Sequence, residues 1–298
     1  MLTLAADNPL HHVTNHWWVK TEGGFWIWSA NQTNLILTML IMLLLGWWIA
    51  GKIETGPEGD GHGRFVTRNP LAHAVEVICV YLRDKTIEPL LHERTARFMP
   101  ILLSLFFFIL INNLLGLIPV LDIIALVAPD MVHSGKSPVG GTATQNLFVT
   151  GALALVAAVV INAAGIKELG LGGYIKHLTA DAPVFVWPIM IPIEIVGTVI
   201  KPAALAIRLF ANMTAGHTLM AVLFMFVKLA FEANAGIGFG VGIVSLISSV
   251  AIYFLEIFVA FLQAFVFMFL TTVFISLLSH HGDEHENLAH EAGNIGLA

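Results

Sequence analysis

The chain has 298 residues, 57% hydrophobic and only 11% charged, with a mean hydropathy of +0.83. A soluble domain carries about 25% charged residues, so this composition excludes a disordered protein, a nucleic-acid binder and an ordinary water-soluble enzyme. The net charge of −6 comes from scattered loop and tail acids and implies no acidic or basic partner, and the lone Cys79 offers neither an internal disulfide nor a metal quartet.

What remains is an all-α polytopic integral membrane protein. The opening residues, MLTLAADNPL, lack a basic n-region and the Arg-rich character of a transit peptide, so no cleavable signal is expected. Residues 1–32 read as an outside segment and residues 33–50 as the first transmembrane helix. Its apolar run, Leu35 to Ile49, is flanked by Trp26, Trp28, Trp47 and Trp48 as interface anchors.

Residues 51–97 are too polar to cross and read as a cytoplasmic loop. Within it, from Pro70 to Pro89, Leu71, Val75, Ile78 and Leu82 recur at helical spacing against His73, Glu76, Arg83 and Asp84. That spacing predicts an amphipathic helix, either lying on the membrane surface or packed as an ordinary loop helix.

Residues 98–279 form the main membrane domain, with apolar runs from Phe98 to Ile118, Leu147 to Ile166, Val184 to Phe231 and Ile237 to Leu278. At ~1.5 Å per residue each of the last two reaches about 60 Å, twice the hydrocarbon thickness. They must tilt steeply or contain an in-plane piece. Pro183, Pro188, Pro192 and Pro202 predict a kink early in the first of them. Gly236, Gly238, Gly240 and Gly242 predict a turn followed by a close helix contact. Residues 280–298 form a cytoplasmic tail.

Basic residues set the orientation. Seven of the fourteen Lys and Arg fall between Lys52 and Arg97, whereas the first 32 residues contain only Lys20. The positive-inside rule then places the N-terminus outside, and five crossings leave the C-terminus in the cytoplasm. Lys167 and Lys176 fall inside, in agreement.

The fourth apolar run contains Glu194, Lys201 and Arg208, spaced by seven along one helical face, and Asn212 continues that stripe. A charge at mid-bilayer costs at least ~2.5 kcal/mol, and such residues mark function by default. Arg208 cannot lose its proton, so it needs a partner or a wet groove. The fifth run contributes Glu256 and Gln263, again seven apart. His217 lies nine residues past Arg208, about 180° around the helix. A lone membrane histidine is explained by a packing hydrogen bond; with Glu256 near, the two instead form a pair that carries protons by turns.

Other patterns carry no function. Gly135-Lys136-Ser137 looks like the end of a phosphate loop, but Asp130 stands where a glycine belongs and Pro138 follows. The histidines near both ends, His11, His12, His16, His280, His281, His285 and His290, read as solvated tails rather than metal sites.

The segment KPAALAIRLFANMTAGH, Lys201 to His217, resembles the signature of subunit a of F-type ATP synthases. The resemblance extends through NNLLGLIP (Asn112 to Pro119), TQNLFVT (Thr144 to Thr150), the Glu194 region and LQAFVFMFLTTVF (Leu262 to Phe274). It implies that Arg208 is the arginine facing the rotating c-ring carboxylate, with Asn212 following it and Gln263 facing it from the last helix. It further implies that Glu194 lines the cytoplasm-facing half-channel and that His217 and Glu256 line the other. Lys201 matches a common lysine that serves packing or the interface.

The resemblance also implies a strongly tilted C-terminal helix hairpin curving around the c-ring. The expected partners are the c-ring, peripheral-stalk subunit b, other ATP synthase subunits and membrane lipid, with no nucleic acid. The expected location is a bacterial plasma membrane. Neither a cofactor nor catalytic chemistry on this chain is expected. A different class, a secondary transporter or anion channel using Arg208 to bind a carboxylate, fits less well, because no internal repeat is found. A purely structural scaffold leaves Arg208 and Glu256 without a purpose.

Overall fold

In the computed structural model the residues described are 17–20, 26–53, 67, 69–118, 143–178 and 184–295. A short antiparallel ribbon, β1 (Trp17–Lys20) with β2 (Trp26–Ser29), leads into the first helix. Ser29 starts that helix: its N–H donates to Gln32 Oε1 at 2.9 Å, and the Trp28 indole donates to Thr33 Oγ1 at 2.8 Å. The Ser29 bond satisfies a backbone N–H at the helix start, and the Trp28 bond ties the ribbon to the first turn. Accordingly α1 (Ala30–Ala50) begins at Ala30 rather than at the expected residue 33.

Asn69 caps the next helix, α2 (Pro70–Leu82), its Oδ1 accepting from the N–H groups of Leu71 and Ala72 at 3.1 and 3.2 Å. Pro70 occupies the first helical position, where its missing N–H costs nothing. A π-turn (Arg83–Ile87) and α3 (Glu88–Leu91) follow, and the run breaks at His92, whose φ is 47°. The break frees carbonyls, and Ser276 Oγ donates to that of Leu90 at 2.8 Å while Thr95 Oγ1 donates to that of His92 at 2.7 Å. The amphipathic face predicted from spacing is graded: Leu71 is exposed, Val75 and Ile78 are half-buried and Leu82 is buried.

Next come α4 (Thr95–Leu117), a single 3₁₀ turn (Ala143–Gln145) and α5 (Leu147–Leu178). At Gly170 in α5, φ is 68°, a conformation open chiefly to glycine. In a straight helix, twelve residues would separate Tyr174 from Asn162 by about 18 Å. The fold-back at Gly170 instead lets the Tyr174 hydroxyl donate to Asn162 Oδ1.

The two overlong stretches are two helices, α6 (Trp187–Ala233) and α7 (Ala235–Ile295). The expected glycine turn is displaced: the chain leaves helix only at Asn234, and all four glycines lie inside α7. The reason is capping, because Asn234 Oδ1 accepts from Gly236 N–H at 2.8 Å and restarts the helix. The expected close contact is present. A Cβ on Gly238 would meet Phe231 Cδ1 at 2.5 Å and its Cα at 2.8 Å. The tail expected at 280–298 continues α7 as helix to Ile295.

Among the described residues, five helical stretches are long and apolar enough to cross a membrane: Ala30–Ala50, Pro70–Leu117, Leu147–Lys167, Ala203–Ala233 and Ala235–Leu277. Their outer faces carry large apolar side chains, among them Trp47 (80% exposed), Phe148 (88%) and Phe254 (69%). Lipid covers such surfaces at no cost, whereas water does not. The chain is an all-α polytopic membrane protein apart from the ribbon.

Two compact units make up the chain. One comprises Met1–Ile53, Phe106–Thr150 and Ile207–Phe265, with buried Phe106, Ile109, Leu209, Met213 and Ala260. The other comprises Glu54–Leu105, Gly151–Ala206 and Val266–Ala298. Its core takes Phe98 and Leu102 from α4, Phe267, Met268 and Ile275 from α7, and the small-residue face Ala154, Ala157, Ile161 and Ala164 of α5.

Candidate functional site

The first unit assembles the site from α4, the 143–145 turn and the facing parts of α6 and α7. On α6, Leu209 and Met213 lie four residues apart and are buried. Arg208 and Asn212 are exposed at one rim of that strip, and His217 is half-buried at the other. This is the separation of the two faces that the nine-residue spacing requires. Arg208 makes no ion pair among the described residues.

On α7 the buried face contains Ser249, Glu256 and Gln263, seven residues apart. Seven residues are close to two turns, so the three stand in one line about 21 Å long. This line meets α6 at two points. Asn212 Nδ2 donates to Gln263 Oε1 at 3.3 Å, and the Glu256 carboxylate lies against Gly216. Towards the hairpin tip, Gly242 lies near Phe231 and Val227. The contacting positions run in opposite chain order on the two helices, so in this unit α6 and α7 pack antiparallel.

The third wall is polar too. Thr144 Oγ1 donates to Asn113 Oδ1 at 3.0 Å, Gln145 Nε2 donates to the Met213 carbonyl at 3.4 Å, and the Tyr253 hydroxyl donates to the Leu117 carbonyl at 3.4 Å. Asn113 and Thr144 are 0% exposed.

Six buried polar atoms have no protein partner among the described residues: Asn112 Nδ2, Asn113 Nδ2, Thr214 Oγ1, Ser249 Oγ, Glu256 Oε1 and Gln263 Nε2. All six belong to this one unit. Native proteins satisfy nearly all such groups, with ordered water where protein is lacking. Open donors and acceptors buried among apolar helices are groups that ordered water can bridge.

The structure therefore brings together five of the six residues singled out from sequence: Arg208, Asn212, His217, Glu256 and Gln263. Gln263 meets Asn212, one turn past Arg208, and Glu256 meets the residue before His217. The sixth, Glu194, belongs to α6 but to the second unit, and its side chain lies outside the described residues. Lys201 is also in the second unit, its Nζ 5.3 Å above the Phe274 ring.

The positions of Asn112, Asn113, Thr144, Gln145, Thr214 and Ser249 at this site were not expected from the sequence. The available signals were an Asn pair inside FFFILINNLLGL and the seven-residue step from Ser249 to Glu256. No group of three potential metal ligands occurs among the described residues. The side chains of His11, His12, His16, His280, His281, His285 and His290 lie outside them.

The family model for ATP synthase A chains matches residues 33–276. The chain is 38% identical over 263 residues to the ATP synthase subunit a of Myxococcus xanthus, covering 87% of this chain and 75% of that one. It is 40% identical over 297 residues to the subunit a of Anaeromyxobacter dehalogenans, covering 93% and 71% respectively. With the ATP synthase subunit a 2 of Chlorobaculum tepidum the identity is 39% over 222 residues, 74% of this chain and 56% of that relative.

Proposed function

The chain belongs to the ATP synthase A chain family, and we propose that it is the proton-translocating stator subunit of a rotary F-type ATP synthase. The observation that carries this reading is the set of buried polar atoms without a protein partner among the described residues, contributed by α4, α6 and α7 of one unit. Protons enter from the outer side through an aqueous half-channel lined by Glu256 and His217. They neutralise a carboxylate of the c-ring, which then turns into lipid. An ionised carboxylate in hydrocarbon is too costly, so neutralisation is a precondition for rotation. After nearly a full turn the protons leave through a second half-channel, lined by Glu194, to the cytoplasm.

Arg208 separates the two paths. Its guanidinium keeps its charge at any realistic pH, so it blocks a direct leak and favours the ionised ring carboxylate as it passes. Asn212 and Gln263, bonded to each other, present a polar surface one turn beyond it. The membrane potential supplies roughly 2.3 kcal/mol per proton per 100 mV. This chain performs no nucleotide chemistry. It works with the c-ring, subunit b of the peripheral stalk and the remaining ATP synthase subunits in a bacterial plasma membrane, N-terminus outside and C-terminus cytoplasmic.

Sidedness tests this reading. In a chain with Cys79 replaced, Glu194→Cys, His217→Cys and Glu256→Cys are challenged from each face with a small charged thiol reagent. Glu194→Cys is expected to react from the cytoplasm and the other two from outside, because only wetted thiolates react. Reaction of all three from one face would replace the two half-channels with a single continuous pore.

A further inference from the structure

One turn of α6 is held from two sides. From α7, Gln263 accepts the Asn212 amide and Glu256 packs on Gly216. From the 143–145 turn, Gln145 Nε2 donates to the carbonyl of Met213, between those two contacts. Thr144 in turn fixes the 143–145 turn to Asn113 of α4, and α1 packs against the same turn.

The Gln145 bond has an unusual purpose. In a regular helix the Met213 carbonyl already accepts the N–H four residues on, that of His217. Gln145 therefore rescues no orphaned backbone group. Its own amide, only 8% exposed, is moreover costly to place among apolar helices, where a methionine of the same length would pack without penalty. Stability does not explain an amide here; orientation does, because a directed bond fixes the roll of α6 where an apolar contact would let it slide.

We propose that Gln145 is a positioning residue: its bond to the Met213 carbonyl sets the roll of the α6 turn that presents Asn212 to Gln263 and Gly216 to Glu256. The proposal rests on the proton-translocating reading of the chain. When the ring drags on α6, this clamp from the 143–145 turn keeps the arginine-bearing face in register with α7.

Gln145→Met keeps the length and removes the donor, whereas Gln145→Asn keeps an amide that is too short to reach. Both are compared with the parent in the intact complex reconstituted in vesicles. ATP-driven proton pumping is expected to fall about fivefold in each, the equivalent of losing one hydrogen bond, at unchanged subunit content. Methionine carrying a ¹³C carbonyl supplies a signature that mere packing would not move. In the infrared difference between parent and Gln145→Asn, which leaves the chain's ten methionines unchanged, one methionine carbonyl band of this chain moves to higher wavenumber as Met213 loses its second donor.

Full pumping by Gln145→Asn, or an unmoved carbonyl band, overturns the proposal. A parent complex that pumps no protons overturns the proton-translocating reading itself, so the two failures are told apart.

Discussion

Glu256 lies with its carboxylate against the backbone of Gly216, one residue before His217 on the facing helix. Such an approach is possible only because Gly216 has no Cβ: a methyl built there overlaps Glu256 Oε1. The carboxylate thus reaches the α6 surface without a protein partner for that oxygen.

Gly216→Ala is accordingly expected to push Glu256 out of line. Overpacking of this kind costs about 1–3 kcal/mol, which corresponds to roughly a tenfold loss of proton pumping if the displaced group is on the path. The double variant Gly216→Ala with Glu256→Asp, one methylene shorter, is expected to recover part of that loss. ATP-driven acidification of inverted vesicles reads both. Equal pumping by Gly216→Ala and the parent would mean that the contact has no bearing on proton transfer.

Asn112 provides a test of wetting. Its side chain is 1% exposed and its Nδ2 has no protein partner among the described residues. In a dry core, removing such a group is neutral or stabilising and leaves transport untouched. On a wetted path Asn112→Leu removes a water-holding donor instead. The expected outcome is an unchanged or higher melting temperature of the complex together with a several-fold fall in passive proton conductance through the membrane sector, measured after its soluble sector is stripped away. Unchanged conductance would place Asn112 outside the path.

Much of this was legible in the chain. Two apolar stretches twice too long to cross upright announced α6 and α7, and the seven-residue step from Glu256 to Gln263 announced the buried stripe of α7. Periodicity within one helix needs no knowledge of its neighbours. The contacts of Asn113 with Thr144 and of Gln145 with Met213 span 31 and 68 residues of chain, and no local pattern encodes such pairings.

Local signals also misplaced two boundaries. Four glycines near residue 236 suggested the turn, yet a single capping amide at Asn234 decided it. The break at His92 has no glycine or proline beside it to announce it; side chains elsewhere in the chain satisfy the carbonyls it frees.

The central claim is that the permanent charge of Arg208 keeps two proton paths apart, and it is tested most directly in reconstituted vesicles holding the whole complex. ATP-driven pumping and passive proton conductance are measured for the parent, Arg208→Ala and Arg208→Lys. Arg208→Ala is expected to abolish pumping while conductance persists or rises, because the barrier is gone but the water-lined paths remain. Arg208→Lys is expected to fail as well, since an ammonium gives up its proton beside a buried site and lacks the guanidinium fork. Normal pumping by Arg208→Lys, or loss of conductance together with pumping in Arg208→Ala, would contradict that claim.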